Sequence, residues 1–131
     1  MSVTPKVGAV IFTPVNGTFT GAATIVCWTP TVGKSFLLLG WSLGVVVGTV
    51  LAAASPVGVV FVDDAIGTGQ GPAVAAFTAT QAAGTNGYSG MQVGPVGWQS
   101  GAANRVLKIT GTQSITTGVV GISGMVWGRE V

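Results

Sequence analysis

A long stretch without one ionisable side chain constrains this sequence more than any other feature. Between Lys34 and Asp63 lie 28 uncharged residues, most of them apolar. About 20 apolar residues suffice for a membrane-spanning helix, so the window 36–55 is long enough to cross a bilayer. Many of its apolar residues are β-branched, glycines interrupt it and Pro56 follows it, and these properties favour strands. The fold of this stretch therefore decides between two classes of protein.

On the strand interpretation, the stretch supplies two strands of a sandwich core. Residues 35–44 and 45–51 form one long or bent strand, in which glycines permit bulges and close backbone approach. Residues 52–56 form a loop. The run from Val57 to Val62 is continuously apolar, apart from one glycine, as in the buried strand of a sandwich core.

Segments on both sides of this stretch show the two-residue period of β-strands. Between residues 18 and 28, three threonines share one parity, while Phe19, Ile25 and Cys27 share the other. The segment 115–127 repeats the pattern, with apolar residues on alternate positions from Val120. No segment shows the charged face of a surface helix, so these patterns predict strands.

Turn signals separate the strand segments. The dipeptide Asn16-Gly17 predicts a tight hairpin turn. Turns or loops are predicted at 13–17, 29–33, 63–72 and 81–90. Eight to nine short strands at this spacing are typical of all-β sandwiches and barrels. We therefore predict one antiparallel β-sandwich of the jelly-roll type over 7–131, preceded by an extended N-terminal arm at 1–6.

Charged residues are scarce, at 6% of the chain, and the formal net charge is +2. Free proteins depend on surface charge to stay apart, so we expect partners to cover much of this surface. The basic residues form no cluster, which argues against nucleic-acid binding. No basic region followed by an apolar region opens the sequence, so a cleaved secretory signal is not expected. The lone Cys27 is predicted to be a small buried hydrophobe.

The sequence lacks the usual residues of catalysis. It contains no histidine, the commonest general base and a frequent metal ligand. Asp63 and Asp64 are interpreted as a solvated strand end, with a weak calcium site or a contact with a partner's lysine as the alternative. The glycine-rich segment 67–72 lacks the lysine of a phosphate-binding loop and is interpreted as a flexible loop. The sequence therefore predicts no catalytic, cofactor-binding or metal-binding residue, and no enzyme activity.

Large aromatic residues are the candidate contacts of this chain. Tryptophan and tyrosine dominate the energetics of cores and interfaces, and a surface poor in charge must be covered. We therefore predict that they form assembly contacts, while stacking on carbohydrate is the alternative. The candidate assembly contacts are Trp28, Trp41, Trp98, Trp127 and Tyr88.

Three segments resemble the small jelly-roll or β-sandwich proteins of bacteriophage virions. They are Lys34-Ser-Phe-Leu-Leu-Leu-Gly-Trp-Ser, Val57-Gly-Val-Val-Phe-Val-Asp-Asp and the strand from Val119 to Gly128. This group of proteins includes capsid decoration or cement proteins and head-fibre proteins.

The resemblance implies a homo-oligomer, with a trimer favoured, that binds other virion proteins such as the major capsid protein. It also implies that the protein has no cofactor and lies in the virion after synthesis in the host cytoplasm. Two alternatives remain open. One is a small membrane protein with a span at about 36–55, and the other is a carbohydrate-binding β-module.

Overall fold

The structure is a computed structural model that describes residues 9–53, 55–63, 70–92 and 97–131. Within these residues the chain forms ten β-strands and no helix. The strands are β1 (Ile11–Gly21), β2 (Thr24–Trp28), β3 (Phe36–Ala53), β4 (Val57–Asp63), β5 (Gln70–Phe77), β6 (Thr80–Gln81), β7 (Asn86–Gln92), β8 (Trp98–Gln99), β9 (Leu107–Gly111) and β10 (Ile115–Glu130).

The strands form two antiparallel sheets that pack face to face. Sheet A has the order β1-β10-β3, and β6, β7 and β8 pair along the remaining side of β3. Sheet B has the order β2-β9-β4-β5. Each step from β1 to β4 changes sheets, and this two-sheet arrangement is that of a jelly roll. The predicted all-β jelly-roll sandwich is therefore confirmed, while the predicted arm at 1–6 lies outside the described residues.

The charge-free stretch forms β3, a strand of 18 residues at the centre of sheet A. Alternate side chains, such as Phe36 and Leu38, are buried between the sheets. The buried parity changes between Leu38 and Trp41, close to the point where the register with β10 shifts. A bulge of this kind adds one residue to one strand, and Gly40 beside it has no side chain to obstruct the shift. The predicted long or bent strand is confirmed.

The alternative of a membrane-spanning helix at about 36–55 is wrong. Residues 36–53 form β3, whose backbone pairs with β10 on one side and with β6, β7 and β8 on the other. Branched side chains fit the pleated surface between neighbouring strands better than they fit a helix. In the part of the chain that the structure describes, no helix is long and apolar enough to span a membrane.

The core lies between the two sheets. The predicted core strand at 57–62 is β4, and every residue from Val59 to Asp63 is buried. Phe61 of sheet B packs on Trp41 of sheet A, with ring centroids 4.9 Å apart. Burying an aromatic or aliphatic side chain of this size stabilises a fold by roughly 1.5–3 kcal/mol. This contact therefore helps to fix the two sheets against each other.

The hairpin turn predicted at Asn16-Gly17 is wrong, because both residues lie inside β1. Asn16 pairs with Ser123 of β10, and Gly17 pairs with Ile122. The turn between β1 and β2 comes later, where the Ala23 amide donates to the Thr20 carbonyl over 3.1 Å. Asn-Gly is a local preference only, and the long ladder with β10 outweighs it.

The loop predicted at 81–90 is shorter in the structure, because β7 begins at Asn86 and pairs along β3. The Val47 amide donates to the Thr85 carbonyl, and the Gly84 amide donates to the Val47 carbonyl, both over 2.8 Å. With its φ of +84°, Gly84 forms a glycine bulge that leads into β7. The sequence analysis did not predict β7, because its glycines and serine give no alternation of apolar and polar residues to indicate a strand.

Candidate assembly surface

Sheet A turns one face to the core and the other to solvent. On β1 and β10, residues of one parity face outward, so that Phe12 lies opposite Trp127 and Pro14 lies opposite Met125. Phe12 is 61% exposed, and its ring centroid lies 6.0 Å from that of Trp127. An aromatic pair therefore stands on the surface of the sheet.

The same outward face continues across β3 and β7. Ser42 lies opposite Met125 on one side, and Gly44 lies opposite Tyr88 on the other. The Tyr88 side chain is 74% exposed, and its hydroxyl lies 2.9 Å from the Ser42 hydroxyl. We define the uncharged face by seven residues: Phe12, Pro14, Ser42, Val46, Tyr88, Met125 and Trp127.

The uncharged face has the composition of a protein contact. Single exposed apolar residues are ordinary, but a contiguous apolar patch marks an interaction site. Aromatic residues and methionine are enriched in protein interfaces, while lysine, glutamate and aspartate are depleted from them. Along β10, the uncharged face ends at Arg129. The outer surface of sheet A is therefore suited to burial against another protein.

Two of the five predicted contact residues are core residues. Trp41 is only 1% exposed, and its indole N–H donates to the Ser89 hydroxyl over 3.0 Å. Trp28 is also buried and lies 6.0 Å from Phe36, measured between ring centroids. The prediction that Trp28 and Trp41 are assembly contacts is wrong, because the core of their own chain already covers both side chains.

Trp98 closes one side of the sandwich. Its ring meets Phe36 edge-on at a centroid distance of 5.5 Å. A Cβ built on Gly71 of β5 would lie 2.8 Å from the Trp98 ring, so the indole rests directly on that backbone. Trp98 is half-buried, and it connects β8 of sheet A with β5 of sheet B.

Of the five candidates, Trp127 and Tyr88 are the two that lie on the uncharged face. The sequence analysis did not single out Phe12 or Met125, which share this face. Parity could have identified Phe12, because it and the buried Phe19 fall on opposite parities of one strand. The turn predicted at Asn16-Gly17 hid this relation by dividing the strand.

Asp63 is not a solvated strand end, because it is 0% exposed. Its Oδ2 atom accepts the Gly101 amide N–H over 2.7 Å and lies 3.2 Å from Arg105 Nη1. Its Oδ1 atom has no hydrogen-bond partner among the described residues. A charge pair in one chain therefore replaces the contact with a partner's lysine that was the alternative, and Asp64 lies outside the described residues.

Cys27 is buried on β2, as predicted, and burial raises the pKa of its thiol from 9.0 to about 12. A thiol held in its protonated form is a poor nucleophile. Across the described ranges, no three of histidine, cysteine, aspartate and glutamate come together as metal ligands.

A cavity of about 300 Å³ opens on one side of the sandwich, between the edge strands β5 and β7. Its lining is uncharged and mixes apolar with amide and hydroxyl side chains. The lining includes Val45, Val74, Phe77, Gln81, Asn86 and Ser89. The gap between the two sheets is therefore accessible at these strands.

No protein-family model matches this sequence, and no curated protein matches it. Among solved structures, a chain of the cyanophage Pam1 capsid asymmetric unit is 16% identical with a TM-score of 0.48, over 98% of this chain and 90% of that one. A chain from the structure of infectious bursal disease virus, Gx strain, is 15% identical with a TM-score of 0.41, over 98% of this chain and 36% of that one. Both solved structures are of viral particles, and both TM-scores lie below 0.5. The fold assignment rests on the strand order and not on these two similarities.

Proposed function

We propose that this chain is a non-enzymatic structural protein of a bacteriophage particle, acting as a capsid decoration or cement protein or as a head-fibre protein. The observation that carries the proposal is the uncharged face, with the Phe12–Trp127 ring pair at one end and Tyr88 at the other. A protein with this surface is stabilised by a partner that covers it. The resemblance of three sequence segments to phage virion proteins suggests that the partner covering this face is another virion protein.

The scarcity of charge supports an assembled state. Five basic and three acidic residues are spread over 131 positions, and Arg105 and Asp63 neutralise each other. Net charge keeps free proteins apart, so a chain with so little of it associates readily. A virion provides neighbours at fixed positions, and association with them is ordered.

The chemistry of the polar residues also supports a structural role. The Asp63 carboxylate is buried beside Arg105 and has no path to a substrate. Burial raises the pKa of the Cys27 thiol from 9.0 to about 12, so that even less thiolate forms near neutral pH. Carbohydrate binding through exposed aromatic residues stays a hypothesis, and the buried Trp28 and Trp41 cannot serve it.

The experiment that tests the proposal is the composition of virus particles from the source of the sequence. We expect mass spectrometry of gradient-purified particles to detect the chain. A wash at about 1 M salt shortens the Debye length to about 3 Å, and we expect the chain to stay bound because its contact needs no ion pair. Particles without the chain contradict the proposal, and release by salt contradicts the uncharged face as the contact.

A variant pair locates the contact. Phe12→Ser with Met125→Ser should reduce binding of the purified chain to particles that lack it, because both side chains lie on the uncharged face. Val32→Ser is the control, since Val32 is 90% exposed in a turn outside that face. Equal binding by both variants would assign the contact to another surface. Two finer parts of the proposal, binding to a major capsid protein and assembly as a trimer, are supported only by the resemblance of the sequence to phage virion proteins.

A further inference from the structure

β7 is an edge strand without the usual protection against pairing. Natural edge strands carry proline, charge, bulges or short length, which prevent another strand from adding to them. Among the other sheet edges, β1 contains Pro14, β5 contains Pro72 and two register shifts, and β2 has only five residues. β7 pairs with β3 through seven consecutive residues without a shift, and contains no proline and no charged residue.

Half of the β7 backbone faces the open edge. At the glycine bulge, the Val47 amide donates to Thr85 and the Val47 carbonyl accepts from Gly84. Along an antiparallel ladder, hydrogen-bonded pairs alternate with pairs that are not hydrogen-bonded. Gly87 and Ser89 therefore bond to β3, while Asn86, Tyr88 and Gly90 direct their N–H and C=O groups away from it.

The Tyr88 side chain leaves this edge clear. Its ring lies over Gly90 of the same strand, since a Cβ built on Gly90 would be 2.8 Å from Tyr88 Cε1 and Cζ. Its hydroxyl meets Ser42 on β3, which is the inner side of the strand. The ring thus leans towards β3 and does not cover the free backbone groups.

A strand added to this edge would also cover the cavity between β5 and β7. Inward side chains on such a strand would lie beside Gly87 and Ser89 and face Val74 and Phe77 across the gap. Because neither β7 nor the cavity lining carries a charge, two identical edges can approach without repulsion between like charges. The edge is therefore compatible with a second copy of itself.

We propose that β7 pairs antiparallel with β7 of a second copy, about a twofold axis at Ser89. Two residues can exchange hydrogen bonds only when both face the open edge of their strand. Asn86, Tyr88 and Gly90 must therefore each lie opposite an even-numbered residue of the second copy. An axis at Ser89 sets each Tyr88 opposite Gly90 of the other copy, whereas an axis at Tyr88 would set two bulky side chains opposite each other. The inference rests on the proposed assembly role and specifies one contact between copies.

The test is sedimentation velocity and light scattering of the full chain with charges placed at position 88. Each copy weighs 13.0 kDa, and we expect an even number of copies: a dimer, or a hexamer where a threefold contact also forms. In this register the two copies of residue 88 are diagonal neighbours, about 7–8 Å apart. Like charges at that distance repel each other, so Tyr88→Lys alone and Tyr88→Glu alone should each raise the dissociation constant roughly tenfold or more. An equal mixture of the two variants should associate again, and this recovery also shows that both are folded.

Val26→Lys and Val26→Glu are the matched controls, because Val26 is an exposed apolar residue on β2, at the far side of sheet B. We expect both to associate as the unmodified chain does. An unmodified chain that is monomeric or trimeric overturns the β7 contact, as does a mixture that fails to recover. If the chain is monomeric or trimeric but is found in virus particles, the proposed function still stands without the β7 contact. If the chain forms dimers or hexamers but is absent from particles, only the β7 contact is supported.

Discussion

Asp63 is a buried carboxylate that depends on an arginine that is partly exposed. Removing a carboxylate from water costs several kcal/mol unless charge and hydrogen bonds compensate. Arg105 and the Gly101 amide provide this compensation at Oδ2. The segment 100–104, which contains Gly101, is held at both ends. The Ser100 amide donates to the Phe36 carbonyl, and the Asn104 amide donates to the Lys34 carbonyl. The ion pair and these backbone hydrogen bonds together fix the connection that leads into β9.

We expect Arg105→Leu to lower the free energy of unfolding by roughly 2–4 kcal/mol, because it leaves a buried charge without its partner. Asp63→Asn in the same chain should recover part of the loss, since a neutral amide costs less to bury. Urea unfolding measures both changes. Lys34→Met, at an exposed lysine, is the control, and equal losses in Arg105→Leu and Lys34→Met would contradict a special role for the pair.

Cys27 gives the stability of the chain a dependence on alkaline pH. Its pKa is about 12 in the folded chain and 9.0 in the reference state, so the unfolded chain releases the proton first. The stabilisation is complete below pH 9.0 and is lost as the pH rises to about 12, at about 1.4 kcal/mol per pH unit. Urea unfolding across this range should show a shallower decline for Cys27→Ala. Parallel declines in the two chains would contradict the assignment.

At the scale of single elements, burial decided what the sequence could predict. β3 and β4 were predictable because their side chains pack in the core, and a buried strand requires the apolar and β-branched residues that the sequence shows there. Phe19, Val120 and Ile122 revealed their strands in the same way. Parity is therefore a reliable sign wherever one face of a strand meets the other sheet.

Elements held by backbone pairing were not predictable in this way. β7 contains two glycines and three polar residues besides Tyr88 and Met91, and it forms because one side of β3 is free to pair with it. The continuation of β1 through Asn16-Gly17 likewise follows from pairing with β10. Of the candidate site, Trp127 and Tyr88 were predictable from residue type, while the separation of surface from core tryptophans required the register of the strands.

Gly118 marks a place in β10 that side chains cannot occupy. It lies between two register shifts with β3, at a φ of +101°, and a Cβ there would be 2.7 Å from the Val50 carbonyl oxygen. We expect Gly118→Ala to destabilise the fold by roughly 1–3 kcal/mol. Gly87→Ala on β7 is the matched control, because no atom lies within 4 Å of its Cβ position. Thermal unfolding of both variants measures the difference, and similar midpoints would contradict strain at Gly118.

At the scale of the whole molecule, the two sheets have unequal outer surfaces. Sheet A exposes the uncharged face, and its charged residues Arg129 and Glu130 lie beyond that face at the end of β10. Sheet B carries Lys108 on β9. A molecule with one face suited to burial associates in a preferred orientation. The position of the uncharged face therefore sets which side of the molecule is available for burial against a partner.

The uncharged face should control precipitation by salt. Ammonium sulfate strengthens the burial of apolar surface because it is excluded from the protein. We expect the variant with Phe12→Ser and Met125→Ser to precipitate at higher ammonium sulfate concentration than the unmodified chain. Val32→Ser should have a smaller effect, although Val32 is more exposed than either residue, because Val32 stands apart from the face. Equal shifts for the two variants would show that total apolar exposure decides, and not the contiguous face.

The position of β10 also sets the order of events while the chain is made. β10 lies between β1 and β3, and Phe12 of β1 meets Trp127 almost the whole length of the chain away. The ribosome releases β1 and β3 long before their shared neighbour, so both wait with open sides and uncharged surfaces. Contacts between distant positions carry a large cost in chain entropy and form slowly. Sheet A can therefore close only after β10 has emerged, and until then the unpaired sides of β1 and β3 are open to association with other chains.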